Sequence, residues 1–154
     1  MIRKASLNDV KSIHKIISGQ ARYGHVLARA MTDLYAQVRD FTVLTDDSTG
    51  EIIGCGALRI VWEDLAEIRS VALRSSFQKS GLGSKLIGAL IDEADSMGIN
   101  RVFVLTYRVR LFERLGFQQM DKNMLPHKIW ADCINCPKFP ECDEIALVRD
   151  RNLP

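Results

Sequence analysis

The sequence predicts a mixed α/β fold, with a mostly antiparallel sheet, one central parallel strand pair and flanking helices. Three observations carry that prediction. Residues 41–45, 51–61 and 65–73 are apolar, strand-like runs separated by short polar breaks, the spacing of an antiparallel meander. Residues 65–106 then read strand, amphipathic helix, strand, the pattern of a right-handed crossover between two parallel strands. The helix of that crossover opens on a glycine turn, Gln78-Lys79-Ser80-Gly81-Leu82-Gly83, at the carboxyl side of its first strand, where open α/β sheets bind ligands.

From the N-terminus, a strand is expected at 2–5. Ser6 with Asp9 three residues on gives a capping-box start to a helix whose apolar positions are Leu7, Val10, Ile13 and Ile17. Residues 19–24, bounded by Gly19 and Gly24, are expected to interrupt it. A second helix should carry Leu27, Met31, Leu34 and Val38 on one core-facing stripe, with Arg29 and Asp33 off that face, looking toward solvent or a bound substrate. Residues 41–45 and 51–61 make a hairpin whose turn uses Gly50. Cys55, between two glycines in an apolar strand, reads as a small inert core residue. In the crossover helix, Leu82, Leu86, Leu90, Ile91, Ala94 and Met97 form the buried face, and Gly98 stops the helix. A strand at 101–106, a short helix closed by Leu115-Gly116-Phe117, and strands at 117–121 and 143–149 complete the sheet.

At 154 residues, 47% hydrophobic and 26% charged, the chain reads as one domain with a substantial core. A net charge of +2 without a basic block argues against a charge-led nucleic-acid or membrane partner. No apolar run approaches the roughly 18 residues of a bilayer span, and the N-terminus lacks a leader-like apolar segment. A cytoplasmic location is the expectation for a complete chain.

The glycine turn is where chemistry concentrates. Glycines ahead of a helix let backbone approach a ligand closely, and the helix's first N–H groups then point at a bound anion. Lys79 adds a mobile positive charge. The spacing is not the Gly-x-x-x-x-Gly-Lys-Ser/Thr of a nucleoside-triphosphate loop. A plain tight turn would use the same residues, so the surrounding order of elements has to decide.

That order is a strand, Gln78-x-x-Gly81-x-Gly83, a helix, a strand, and a short helix closed by Leu115-Gly116-Phe117. It resembles the acetyl-CoA signature of the GCN5-related N-acetyltransferases, the GNAT family, over essentially the whole chain. The resemblance implies the GNAT fold, a single N-acetyltransferase domain over residues 1–154 and acetyl-CoA as cosubstrate. In that family the two parallel strands splay and the pantetheine arm lies between them. By matching, the backbone at Val71, Ala72 and Leu73 would hydrogen-bond the arm, and an N–H there would polarise the thioester carbonyl as an oxyanion develops. The N–H groups of Gln78, Lys79, Ser80, Gly81, Leu82, Gly83 and Ser84 would hold the pyrophosphate.

Acyl transfer to an amine needs a proton removed from the ammonium and one supplied to the departing thiolate. Glu67 occupies the strand where this family often carries its carboxylate base; it is equally placed to pair with Arg69, two residues on and on the same face. The family's usual tyrosine acid is replaced here by Phe112, expected to pack against cofactor or core. Tyr107, at the end of the second parallel strand, is the alternative donor or a structural tyrosine.

The tail narrows the resemblance. Leu125-Pro-His-Lys-Ile-Trp130, Cys133-Ile-Asn-Cys136-Pro-Lys-Phe139 and Cys142-Asp-Glu144 resemble the short, single-domain N-acetylglutamate synthases, as does Glu67-Ile-Arg-Ser-Val-Ala72. The implied acceptor is L-glutamate and the implied role is entry to arginine biosynthesis. A dicarboxylate acceptor calls for cations, and Arg29, Arg69 and Lys128 are the candidates, each equally at home as a surface charge. Acetylation of another amino acid, a polyamine or a protein lysine is the competing reading, as is a CoA-binding regulatory module without turnover. A homodimer is one assembly the sequence allows. Within the Cys-containing loop at 124–142, Cys133, Cys136 and Cys142 with His127 admit a structural zinc site, a redox disulfide or simply a packed loop, the last preferred because the ligand spacing is incomplete.

Overall fold

The computed structural model describes residues 1–125 and 144–152. Seven strands among them form one sheet: β1 (Ile2–Lys4), β2 (Phe41–Thr45), β3 (Ile52–Trp62), β4 (Leu65–Leu73), β5 (Arg101–Thr106), β6 (Gln118–Met120) and β7 (Ile145–Asp150). Their order is β1-β2-β3-β4-β5-β7-β6, and β4 with β5 is the single parallel pair among them. The helices are α1 (Val10–Ala21), α2 (Met31–Ala36), α3 (Leu82–Ser96) and α4 (Val109–Arg114). The mixed sheet, the meander and the parallel crossover pair expected from the sequence are all present.

Two cores lie on opposite faces. Successive strand residues face opposite ways, and Ala57 packs with Ile13, Ile17 and Leu34 from α1 and α2 while Leu58 packs with Ile87 and Leu90 of α3. The helix starts and stops follow local chemistry. The Ser6–Asp9 capping box forms, with Asp9 also gripped by both terminal nitrogens of Arg3 at 2.7 and 3.0 Å. Gly98, at φ 77°, ends α3 in the left-handed conformation that glycine tolerates.

Several finer expectations are corrected. Gly19 does not interrupt the first helix, which runs to Ala21, because Ile16, Ile17 and the buried Gln20 extend its inward face past that position. Leu7 is exposed, lying in a 3-10 turn ahead of α1. The second helix covers only Met31–Ala36; Leu27 precedes it and is exposed, so Leu34 is the stripe's one fully buried member. In α3, Met97 is exposed at the helix end, Leu82 is only half-buried, and Ile87 takes their place in the core.

Candidate active site

The sheet divides along its parallel pair. β4 and β5 pair only at Leu65↔Arg101, Ala66↔Val102 and Glu67↔Phe103. Beyond that point each strand stays with its outer neighbour, β4 along β3 to Leu73↔Gly54 and β5 along β7 to Thr106↔Ile145. Among the described residues the inner edge of β4 from Ile68 onward therefore has no pairing strand, and its backbone groups suit a ligand. A cavity of about 560 Å³ fills the opening, within the size range of small-molecule sites.

The divergence has a local cause. The register passes from Ala57↔Arg69 to Cys55↔Ala72, so Ser70 and Val71 together oppose Gly56. This is a β-bulge, which bends its strand and raises local twist. It also resets the facing of the residues beyond it: Ile68 and Val71 both pack toward the α3 core, three residues apart, while Ala72 joins the α1 core. Gly56 is the bulge's counterpart, since a Cβ there would lie 3.0 Å from Leu90 Cδ1 and 3.3 Å from Val71 Cγ2.

Beyond the end of β4 the glycine turn enters α3. Gly81, at φ 81°, precedes the first helical residue, and no side chain caps the helix. Its opening N–H groups, at Leu82, Gly83 and Ser84, are those a helix cannot pair internally, so they suit an anion. Ser80 Oγ donates to the Phe77 carbonyl at 2.5 Å, tightening the turn. Lys79 (φ 62°) and Ser70 (φ 56°) are the two non-glycine residues with positive φ among the described residues, and both line the cavity. Such strain costs on the order of 1–3 kcal/mol each and gathers at ligand sites.

A polar network ties this turn to α1. Gln78 Nε2 donates to the Leu73 carbonyl at 3.2 Å and to Gln20 Oε1 at 2.8 Å. His25 Nδ1 lies 2.9 Å from the same Gln20 oxygen, and Gln20 Nε2 donates to Ser75 Oγ at 3.3 Å. Because the Leu73 carbonyl can only accept, Gln78 must present its NH₂, Gln20 its oxygen, and His25 a protonated Nδ1. The sequence reading missed Gln20 and His25; a glutamine continuing the apolar stripe of α1 was the available signal.

Glu67 and Arg69 share the α1-side face of β4, the face opposite Ile68. Glu67 is buried, and its carboxylate lies 3.8 Å from the Arg69 guanidinium, so both of its sequence readings remain physically available. Arg29 lies in the loop ahead of α2 and not on the expected helix; it is only 9% exposed and lines the cavity, the second of its two expected orientations. It donates to Ser70 Oγ at 3.0 Å and to Gln37 Oε1. Tyr107 lines the cavity from the end of β5 and is partly exposed. Phe112 is buried edge-on against Phe117, with ring centroids 5.2 Å apart, and also borders the cavity. Cys55 is fully buried and its thiol is pushed up to about 12 by desolvation, which removes it as a nucleophile at neutral pH.

The structure thus brings Glu67, Tyr107 and both arginines to one cavity with Val71, Ala72, Leu73, Gln78, Lys79 and Gly83. Ser80, Gly81, Leu82 and Ser84 form the adjoining turn and helix start. His127, Lys128, Cys133, Cys136 and Cys142 lie outside the described residues, and with them the zinc and disulfide readings. Among the described residues no group of His, Cys, Asp and Glu is arranged to hold a metal ion, and no helix is long and apolar enough to cross a membrane.

A parallel pair that parts beside a glycine-led helix start is the architecture of an acyltransferase. The chain belongs to the GNAT family: the model of the acetyltransferase (GNAT) family matches residues 11–117. It is 40% identical over 148 residues to an uncharacterized N-acetyltransferase of Chlorobaculum tepidum, covering 96% of this chain and 94% of that protein. It is 34% identical over 123 residues to an amino-acid acetyltransferase of Mycobacterium tuberculosis, covering 79% and 70%. Among solved structures it superposes on the N-acetylglutamate synthase of Neisseria gonorrhoeae complexed with coenzyme A and N-acetyl-glutamate. There the TM-score is 0.86 at 29% identity, covering 97% of this chain and 34% of that one.

Proposed function

We propose that the chain transfers the acetyl group of acetyl-CoA to the α-amino group of L-glutamate. The observation that supports this most is the buried Arg29 guanidinium on the wall of the cavity that Arg69 and Glu67 also line. A guanidinium on the cavity wall presents a planar fork of N–H donors that matches a carboxylate of the acceptor. The relatives named as amino-acid acetyltransferases and the neighbour holding N-acetyl-glutamate favour the same acceptor class.

In this reading the helix start at Gly81–Ser84 holds the pyrophosphate of acetyl-CoA and the pantetheine arm pairs with the open edge of β4 at Val71–Leu73. Glu67, directly or through a water, takes a proton from the acceptor ammonium. The freed amine attacks the thioester carbonyl, forming the C–N bond and an oxyanion that a β4 N–H stabilises. Collapse breaks the C–S bond, the departing thiolate takes a proton from Tyr107, and the product nitrogen sheds its extra proton through solvent, which restores the Tyr107 phenol.

The test is CoA release from acetyl-CoA with a panel of amino acids, polyamines and a lysine peptide, with product masses. Selective formation of N-acetylglutamate is expected. An acetylated polyamine or peptide in its place would discard the acceptor. Binding of acetyl-CoA with no product from any amine would replace the enzyme with a CoA-responsive module.

A further inference from the structure

We propose that Gln20 is a positioning residue for acetyl-CoA: its side-chain amide clamps the segment 75–78 from both ends and so sets the glycine turn that follows for the pyrophosphate. The inference rests on the reading of Gly81–Ser84 as the pyrophosphate site, and not on the identity of the acceptor. One carboxamide reaches two points of the segment. Gln20 Nε2 donates to Ser75 Oγ at 3.3 Å, and Gln20 Oε1 accepts from Gln78 Nε2 at 2.8 Å. Ser75 opens the 3-10 turn Ser75–Phe77, and Gln78 ends it.

The connection from β4 to α3 needs such an anchor. It consists of that 3-10 turn, Lys79 at φ 62° and Gly81 at φ 81°, so neither a strand ladder nor a helix fixes it. The Gln78 N–H reaches the Ser75 carbonyl only at 3.4 Å, a long hydrogen bond. Its side chain supplies the firmer ties, to the Leu73 carbonyl at 3.2 Å and to Gln20. The anion site downstream is made of backbone N–H groups, and these bind well only where the backbone is already held in place.

Gln20 is fixed in turn. Its backbone carbonyl, near the end of α1, accepts from the Tyr23 N–H at 3.1 Å and the His25 N–H at 3.3 Å, and His25 Nδ1 lies 2.9 Å from its Oε1. His25 thereby holds it at main chain and side chain alike. The amide is buried on the stripe that continues Ile13 and Ile17. Packing alone would favour an apolar residue there, since a buried amide must have its polar ends paired. Both ends are paired, and each has a partner on the segment that leads into the turn. Methionine in its place would keep the helix and its apolar contacts. Ser75 and His25 are exposed and would turn to water, and Gln78 would keep Leu73, so the fold survives while the tie to α1 is lost.

The experiment compares wild type, Gln20→Met and Ile16→Val, the last trimming the packed face of α1 without touching these hydrogen bonds. It reads the Kd of CoA by titration calorimetry without acceptor, the thermal midpoint, and kcat/KM with L-glutamate for acetyl-CoA and for S-acetylpantetheine, which lacks the pyrophosphate. Gln20→Met should raise the Kd of CoA about five- to tenfold and lower kcat/KM for acetyl-CoA by a similar factor. It should leave kcat/KM for S-acetylpantetheine and the acceptor KM unchanged. Ile16→Val should lower the midpoint with the Kd of CoA unchanged. A wild-type Kd in Gln20→Met, equal losses with both thioesters, or the same rise in Kd in Ile16→Val would each overturn the role of Gln20. A wild type that uses S-acetylpantetheine as well as acetyl-CoA would overturn the pyrophosphate site and this inference with it. If L-glutamate is not turned over, only the proposed acceptor falls, and the CoA titration still decides on Gln20.

Discussion

Replacing Gly56 by alanine tests whether the bulge opposite it is what opens the sheet. The new Cβ would stand 3.0 Å from Leu90 Cδ1 and 3.3 Å from Val71 Cγ2, closer than ordinary van der Waals contact. Neither neighbour gives easily. Leu90 is fully buried within the α3 core, and Val71 is β-branched, so its methyl moves only with a change of χ1 or of the bulged backbone. Overpacking of this kind costs about 1–3 kcal/mol. Alanine's narrower unfolded ensemble returns about 0.4–1 kcal/mol. The net expectation is destabilisation of about 1–2 kcal/mol, read as a lower urea midpoint at unchanged slope. Because Val71 is a bulge residue on the cavity wall, KM for acetyl-CoA should rise several-fold in the same variant. Gly88 supplies the control, since a Cβ there meets nothing within 4 Å. Gly88→Ala, inside α3, should stabilise by about 0.5–1 kcal/mol and leave the kinetics alone. A Gly56→Ala protein as stable as wild type, with unchanged affinity for acetyl-CoA, would refute the argument.

Other outcomes depend on single groups. The Arg3 guanidinium, aided by the Ser6 N–H and hydroxyl, lowers the Asp9 carboxyl from 3.8 to about 2 despite its burial. A folded-state value below the unfolded one stabilises fully above the unfolded value and loses that contribution as pH falls toward the folded one. Asp9→Asn should therefore cost about 1–2 kcal/mol at neutral pH, the lower part of the range reflecting the partial exposure of Arg3, and its stability should fall less steeply in acid; an acid slope equal to that of wild type would contradict this. Glu67→Gln should lower kcat about a hundredfold, with partial recovery at high pH where the acceptor amine is already free, and a rate within twofold of wild type would remove Glu67 as the base. Tyr107→Phe should lower kcat about tenfold if the tyrosine protonates the thiolate; unchanged turnover would assign that proton to water.

The main strands and the crossover helix were legible in the sequence, and so was the glycine turn that enters α3. Apolar runs bounded by polar breaks marked β2 to β5, and Gly81 and Gly98 bracketed α3, because a left-handed residue at a helix end favours glycine. What escaped were features set by tertiary geometry. The bulge at Ser70 and Val71 leaves no mark in Leu65–Leu73, whose apolar residues read as an ordinary strand; only Gly56, on the neighbouring strand, hints that backbone and side chains crowd there. For Arg29 the sequence leaves solvent and a bound substrate both open, because the helix expected through Leu27 is loop there, and a loop side chain has no periodic face.

These two omissions are connected. A helix running through residue 29 would present its arginine according to a 3.6-residue period, and a regular β4 would return Val71 and Ala72 to the opposite faces. The short α2 frees residues 22–30 to fold over the opening, and the bulge delivers Ser70 to Arg29 while keeping β4 away from β5 beyond Glu67. In the proposed function, the acceptor's cation and the cofactor's slot thus depend on the same irregularity. On that reading a change that straightened the bulge should raise the KM of both substrates at once.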